Sequence, residues 1–185
     1  MRHFLRFLQN NTKLFTKVST RLLIGFYAIF IIPSVAVGDN NAPFSISGML
    51  KITNISDGDS LRSGKLRIRL FGVDAPETKQ QCNTIDGQQW DCGVKAQQAL
   101  KQLVESVPQL SCDLIDVDRY ARLLMRCYAG KTDVAAALVR AGMALAYRQY
   151  SALYVKDENA AKIARAGMWN GSFTKPWEWR HTRKN

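Results

Sequence analysis

The sequence predicts an α+β protein in which a small antiparallel barrel is capped by helices. Two observations predict it. Period-two apolar alternation comes in pairs of short segments separated by turn residues, the pattern of β-hairpins with one buried face. Three further segments carry apolar residues at helical spacing, giving the order strand–strand–strand–helix–strand–strand–helix–helix. At 185 residues the chain is long enough for one sizeable core.

Residues 1–38 stand apart from that domain. They carry Arg2, Arg6, Lys13, Lys17 and Arg21, no acid, and an apolar run from Leu22 towards Ile32. The run falls short of the ~20 residues that span a bilayer. Small residues follow at Ser34-Val35-Ala36 and Ala36-Val37-Gly38, so the segment reads as a secretory signal, with an uncleaved inner-membrane anchor facing the periplasm as the alternative. Residues 39–47 read as a linker, 48–171 as the folded domain and 172–185 as a Trp-rich basic tail.

Within the domain, GMLKITNI is a strand signal ended by the DGD break. SLRS and KLRIRLFGV follow around a turn at Ser63-Gly64; in the second, Leu66, Ile68 and Leu70 share one face and Arg67 and Arg69 the other. Pro76 removes a donor and fixes its φ, so the strand stops and leaves Asp74 and Glu77 on a stiffened turn. The polar stretch from Thr78 to Trp90 reads as an irregular loop. From Cys92 to Val107 the positions Val94, Leu100, Leu103, Val104 and Val107 repeat at helical spacing, and Pro108 is the stop. LSCDLIDV and RLLMRCYA form a candidate hairpin about Arg119-Tyr120. TDVAAALVRAG reads as a helix capped by Thr132 or Asp133 and stopped at Gly142. A third helix spans about Asp157 to Ala166. The aromatic tail GMWNGSFTKPWEWR is expected to cover a core edge rather than to bind a ligand.

Charge and rare residues narrow the chemistry. The formal net charge is +11, and a basic surplus remains when the leader is set aside. That surplus suits a polyanionic partner such as nucleic acid or an acidic polysaccharide, or simply a solvated basic face. Four cysteines, Cys82, Cys92, Cys112 and Cys127, all follow the leader, which favours disulfides. Of the three possible pairings, Cys112–Cys127 stands out because the two flank the candidate hairpin symmetrically; Cys82–Cys92 then closes the preceding loop. Neither pair has CxxC spacing, which disfavours zinc. The only histidine after the leader, His181, lies near the C-terminus, where order is not expected. Histidine-dependent hydrolysis is therefore disfavoured, and carboxylates and arginines are left to do the chemistry.

Asp57, Asp59, Asp74 and Glu77 occupy two short turns at strand ends, with arginines on neighbouring strands. Such turns are often only good turn formers, but an all-oxygen set without His or Cys suits Ca²⁺ or Mg²⁺. A bound cation would also relieve the mutual repulsion of the acids. Taken in order, DGDS, RIRLFGVDAPE, DRYAR and ALVRAGMALAY resemble the thermonuclease family, staphylococcal nuclease-like, over roughly residues 47–170.

The resemblance implies a five-stranded OB-fold barrel with three helices, acting as a Ca²⁺-dependent nuclease on DNA or RNA, with Mg²⁺ the less favoured ion. By position, Asp59, Asp74 and the carbonyl of Ala75 resemble the cation ligands. Glu77 resembles the residue that handles the attacking water, and Arg69 and Arg122 the two phosphate-binding arginines. Tyr120 and Tyr147 fall near nucleotide-contacting tyrosines. Three departures stand out. Ala75 replaces a threonine, at little cost because the expected ligand there is a backbone carbonyl. Ala121 replaces a glycine, which would strain a left-handed backbone and disturb the aim of Arg122. The loop from Thr78 to Cys92 differs and bears on substrate access. A secreted or periplasmic monomer is expected, touching membrane only through its N-terminal segment. The competing reading is a non-catalytic OB-fold binder of polyanions. The cysteine pattern and PWEWR tail are also similar to a family member associated with succinoglycan, an exopolysaccharide.

Overall fold

The structure, a computed structural model, describes residues 46–182. The signal or anchor reading of residues 1–38 and most of the linker lie outside the described residues. Four strands come first: β1 (Ser47–Leu50), β2 (Asn54–Ile55), β3 (Ser60–Ser63) and β4 (Leu66–Leu70). Next come β5 (Val73–Asp74), β6 (Cys82–Thr84), β7 (Gln89–Trp90) and helix α1 (Cys92–Glu105). The long hairpin β8 (Leu110–Val117) and β9 (Leu123–Ala129) is followed by β10 (Thr132–Asp133), α2 (Val134–Arg140), β11 (Leu145–Ala146) and α3 (Val155–Ile163). A 3₁₀ turn (Gly167–Asn170), β12 (Gly171–Ser172) and α4 (Pro176–Thr182) end the described chain.

The main sheet runs β1-β8-β9-β4-β3-β2, with β10 also on β9, and curls beneath the helices. Its pairs are antiparallel except β4 with β9, which are parallel and set Arg69 opposite Leu124. Alternation holds for Ile68 and Leu70, which enter the core while Arg69 faces the other way, partly exposed; Leu66, expected on the apolar face with them, is instead exposed at the start of the strand. Leu61, Ile68 and Leu70 pack against Ala96 and Leu100 of α1, Leu138 and Val139 of α2, and Tyr154. The α+β class and the helix-capped curled sheet agree with the expected fold. Asp133 is the cap of α2, its side chain accepting from the Ala136 N–H at 3.0 Å. Among the described residues no helix is long and apolar enough to cross a membrane.

Two expectations change. The Thr78–Trp90 stretch is not irregular: β6 and β7 pair within it, Cys82 bonds to Cys92 (Cα–Cα 5.6 Å), and β12 adds as a third strand beside β6. The physical reason is the tail, which supplies the missing strand edge and an apolar cover. Cys82, Cys92, Leu145 and Met168 make a second small core, with Trp90, Trp169, Phe173 and Trp177 against it. The tail is likewise ordered, since Pro176 starts α4 where its fixed φ is already helical. The expected cover role of the tryptophans is met by Trp169 and Trp177. The other disulfide, Cys112–Cys127, joins directly opposed residues of β8 and β9.

Candidate active site

The two acidic turns meet because of strand pairing and one close approach. Ser60 stands opposite Arg69 in the β3–β4 pair, and the Leu70 N–H donates to the Asp59 carbonyl at 2.9 Å, so the DGDS turn lies beside the end of β4. Gly58 lets it close: a Cβ there would sit 2.7 Å from Ala75 Cβ and 2.8 Å from Ala96 Cβ. The Ala75 N–H donates to Asp59 Oδ2 at 2.8 Å, fixing the first carboxylate to the turn that carries the second. Asp59 and Asp74 are both buried, at 2% and 0% exposure.

Buried acids need positive partners, and two guanidiniums meet them. Arg69 Nη1 donates to Asp59 Oδ1 at 2.6 Å, and its Nη2 donates to Asp74 Oδ1. The second guanidinium is Arg180, from α4. It donates from Nη1 to Asp74 Oδ1 at 3.0 Å, from Nη2 to Asp74 Oδ2 at 2.8 Å, and from Nη1 to Glu77 Oε1 at 2.8 Å. Burial pushes the Asp59 carboxyl upward against the pull of Arg69, with Asp57 and Asp74 adding to the rise. Burial opposes the charge on Arg180, and the hydrogen bonds from it to Asp74 and Glu77 outweigh that and hold it protonated.

Above the acids opens a cavity of about 690 Å³. Arg69, Glu77, Tyr120, Arg122 and Tyr147 line it, so the structure brings these site residues to one space. Asp59, Asp74 and Ala75 lie buried beneath. Arg122 is aimed by Asp118, whose carboxylate accepts from Arg122 Nε at 2.7 Å and from the backbone N–H groups of Arg122 and Tyr120. Burial works against ionisation of Asp118, and those bonds from Arg122 and Tyr120 hold it below the usual carboxylate range. Ala121 does adopt the left-handed conformation, with φ 56°, yet the Asp118 bonds keep the turn closed and Arg122 on the cavity. Tyr147 arrives because β11 pairs with β5 and the Tyr147 N–H donates to the Gly72 carbonyl at 2.9 Å.

Sequence reasoning missed the tail's contribution. Arg180, Trp177 and His181 also line the cavity. Trp177 stacks on Tyr147, centroids 5.3 Å apart and planes 7° from parallel. His181 thus stands on an ordered helix at the rim, its Nδ1 against the Trp177 carbonyl. The only signal for Arg180 was its place in an aromatic run beside a proline, which marks a docked tail without saying where it docks.

Among the described residues no group of three or more His, Cys, Asp or Glu side chains is arranged to hold a metal. What is present is a pair of buried carboxylates, Asp59 and Asp74, hard-oxygen donors of the kind that Ca²⁺ or Mg²⁺ takes, with the guanidiniums of Arg69 and Arg180 bound to them in this structure.

Comparison with known proteins adds to the geometry. The family model described as staphylococcal nuclease homologue matches residues 67–171. The chain is 32% identical over 153 residues to a micrococcal nuclease of Shigella flexneri, covering 73% of this chain and 82% of that one. It is 32% identical over 131 residues to a probable staphylococcal-like nuclease, CAN1, of Oryza sativa subsp. japonica, covering 69% of this chain but 36% of that longer protein. It is 30% identical over 118 residues to the succinoglycan biosynthesis protein ExoI of Rhizobium meliloti, covering 63% of this chain and 62% of that one.

Proposed function

The chain belongs to the staphylococcal nuclease homologue family, and from that premise we propose that it is a Ca²⁺-dependent nuclease hydrolysing phosphodiesters of DNA or RNA. One observation carries the reading: Arg69, Glu77 and Arg122 line one cavity, and Arg69 joins it to the buried Asp59 and Asp74. Asp59, Asp74 and the Ala75 carbonyl would hold the cation, which supplies Lewis acidity at a phosphoryl oxygen.

The chain's own groups do the rest. Arg69 and Arg122 present planar forks to the phosphate, where charge builds on the equatorial and leaving oxygens. Glu77 accepts a proton from the water whose oxygen forms the new bond to phosphorus as the bond to the leaving oxygen breaks. Tyr120 and Tyr147 flank the substrate, and the basic charge of the chain draws it in.

The test is incubation of the purified protein with DNA and with RNA, with Ca²⁺ and with chelator. Cleavage that needs Ca²⁺ is expected, and its absence with both substrates rejects the nuclease reading. Glu77→Gln should lose cleavage and keep nucleic-acid binding; a Glu77→Gln variant that still cleaves removes Glu77 from the water-handling role. Arg69→Gln and Arg122→Gln should each lower the rate on the order of 10²-fold.

A second reading is a non-catalytic polyanion binder, favoured by the engagement of Glu77 and Asp74 with Arg180. The relative named for succinoglycan biosynthesis supports a role beside exopolysaccharide formation. The two disulfides support an oxidising compartment, hence a secreted or periplasmic protein; that it acts as a monomer is a separate part of the proposal. Cell fractionation and light scattering test those two points.

A further inference from the structure

We propose that Arg180, which also holds Glu77, is a tethered cation that competes with the divalent ion for Asp74, so that the tail sets how tightly the site binds metal. This rests on the metal-site reading above. Both side-chain oxygens of Asp74 accept from Arg180, and Oδ1 also accepts from Arg69. An ion that takes Asp74 as a ligand must therefore displace a guanidinium contact.

Arg180 is no loose surface side chain. Trp177, one turn earlier in α4, stacks on Tyr147. Further back, the Thr174 carbonyl accepts from Gln80 Nε2 at 2.6 Å, and Gln80 is fully buried while its Oε1 accepts from the Glu77 N–H at 3.3 Å. Before that, β12 is paired to β6. The tail is thus bound to the same turn that carries Glu77, and its guanidinium meets the acids at a high effective concentration. The competition is one-sided in charge. A divalent ion gains more from two carboxylates than a single delocalised charge does, so the tether weakens metal binding without abolishing it.

The experiment is calorimetric titration of the metal-free full chain with Ca²⁺, repeated with Tb³⁺ luminescence, for wild type and Arg180→Gln. Arg180→Gln should bind Ca²⁺ on the order of tenfold tighter, with Arg180→Lys between the two. Lys101→Gln is the charge-only control, because Lys101 pairs with Glu105 on the exposed face of α1 and neither lines the cavity; it should leave the affinity within about twofold. Equal or weaker Ca²⁺ binding by Arg180→Gln overturns the proposal, as does an equal gain in Lys101→Gln. If Arg180→Gln fails to fold, Trp177→Ala loosens the tether and should also tighten Ca²⁺ binding; an unchanged affinity there counts against the proposal. Asp74→Asn separates the premise. Binding present in wild type and lost in Asp74→Asn, with Arg180→Gln unchanged, rejects the competition only. No Ca²⁺ binding in any variant rejects the metal site and the competition together.

Discussion

Ala121 holds a φ of 56°, where an L side chain is strained and glycine is not. The offset comes from Asp118, which accepts from the backbone of Tyr120 and Arg122 and from the Arg122 side chain. Ala121→Gly should therefore stabilise the protein by roughly 0.5–1 kcal/mol, with little change in the aim of Arg122. Thermal unfolding checks it, and a lower melting temperature would mean the turn is not strained. Glu158 gives the pH dependence. Burial works to raise its carboxyl, but hydrogen bonds from Lys162 and Arg148 prevail and lower it. A lowered folded value adds stability above the ordinary glutamate range, and that stability is lost as pH falls through the folded value. The stability gap between wild type and Glu158→Gln should thus be wide at neutral pH and close below about pH 4. A gap independent of pH would show that the ionised pair contributes nothing.

At the scale of elements, the disulfide hairpin and the tail depend on each other. β6 is short, and a strand of three residues is marginal unless its edges are paired. The Cys82–Cys92 bond and β12 supply that support, and Trp169 and Phe173 cover the apolar side. Replacing both Cys82 and Cys92 by Ala should cost about 2–3 kcal/mol and expose the chain before α4 to protease. The double variant should be clipped near Lys175 at protease levels that spare the native protein. Equal resistance of the two would show that the tail docks without the bridge. Because α4 carries Arg180, the same change is expected to loosen the guanidinium from Asp74 and Glu77.

The whole molecule presents a basic chain with a cluster of its acids at one arginine-rich cavity. Arg67, Arg69, Arg119 and Arg122 line the cavity, while Asp74 and Glu77 are engaged by Arg180 and Asp118 by Arg122. A polyanion would be attracted through the arginines. If two or three phosphates are neutralised, affinity for a short single strand should fall about 7- to 20-fold between about 50 and 200 mM salt. Fluorescence anisotropy with the Glu77→Gln protein reads this without cleavage, and salt-independent binding would exclude phosphate contact as its basis.

What the sequence determined follows from short-range rules. Period-two alternation placed Ile68 and Leu70 inside and Arg69 out, Pro76 ended a strand, and Asp133 with Gly142 bounded a helix. The ordered motifs from DGDS to DRYAR were enough to name the residues that the fold collects around one cavity. The tertiary structure decided what has no local signature. Parallel pairing of β4 with β9 set Arg69 and Arg122 on one wall, and Gly58 let the two acidic turns close. Arg180 reached Asp74 across 106 positions of sequence. No periodicity or turn preference encodes such a contact, because it depends on where Trp177 stacks and β12 pairs, which only the folded chain sets.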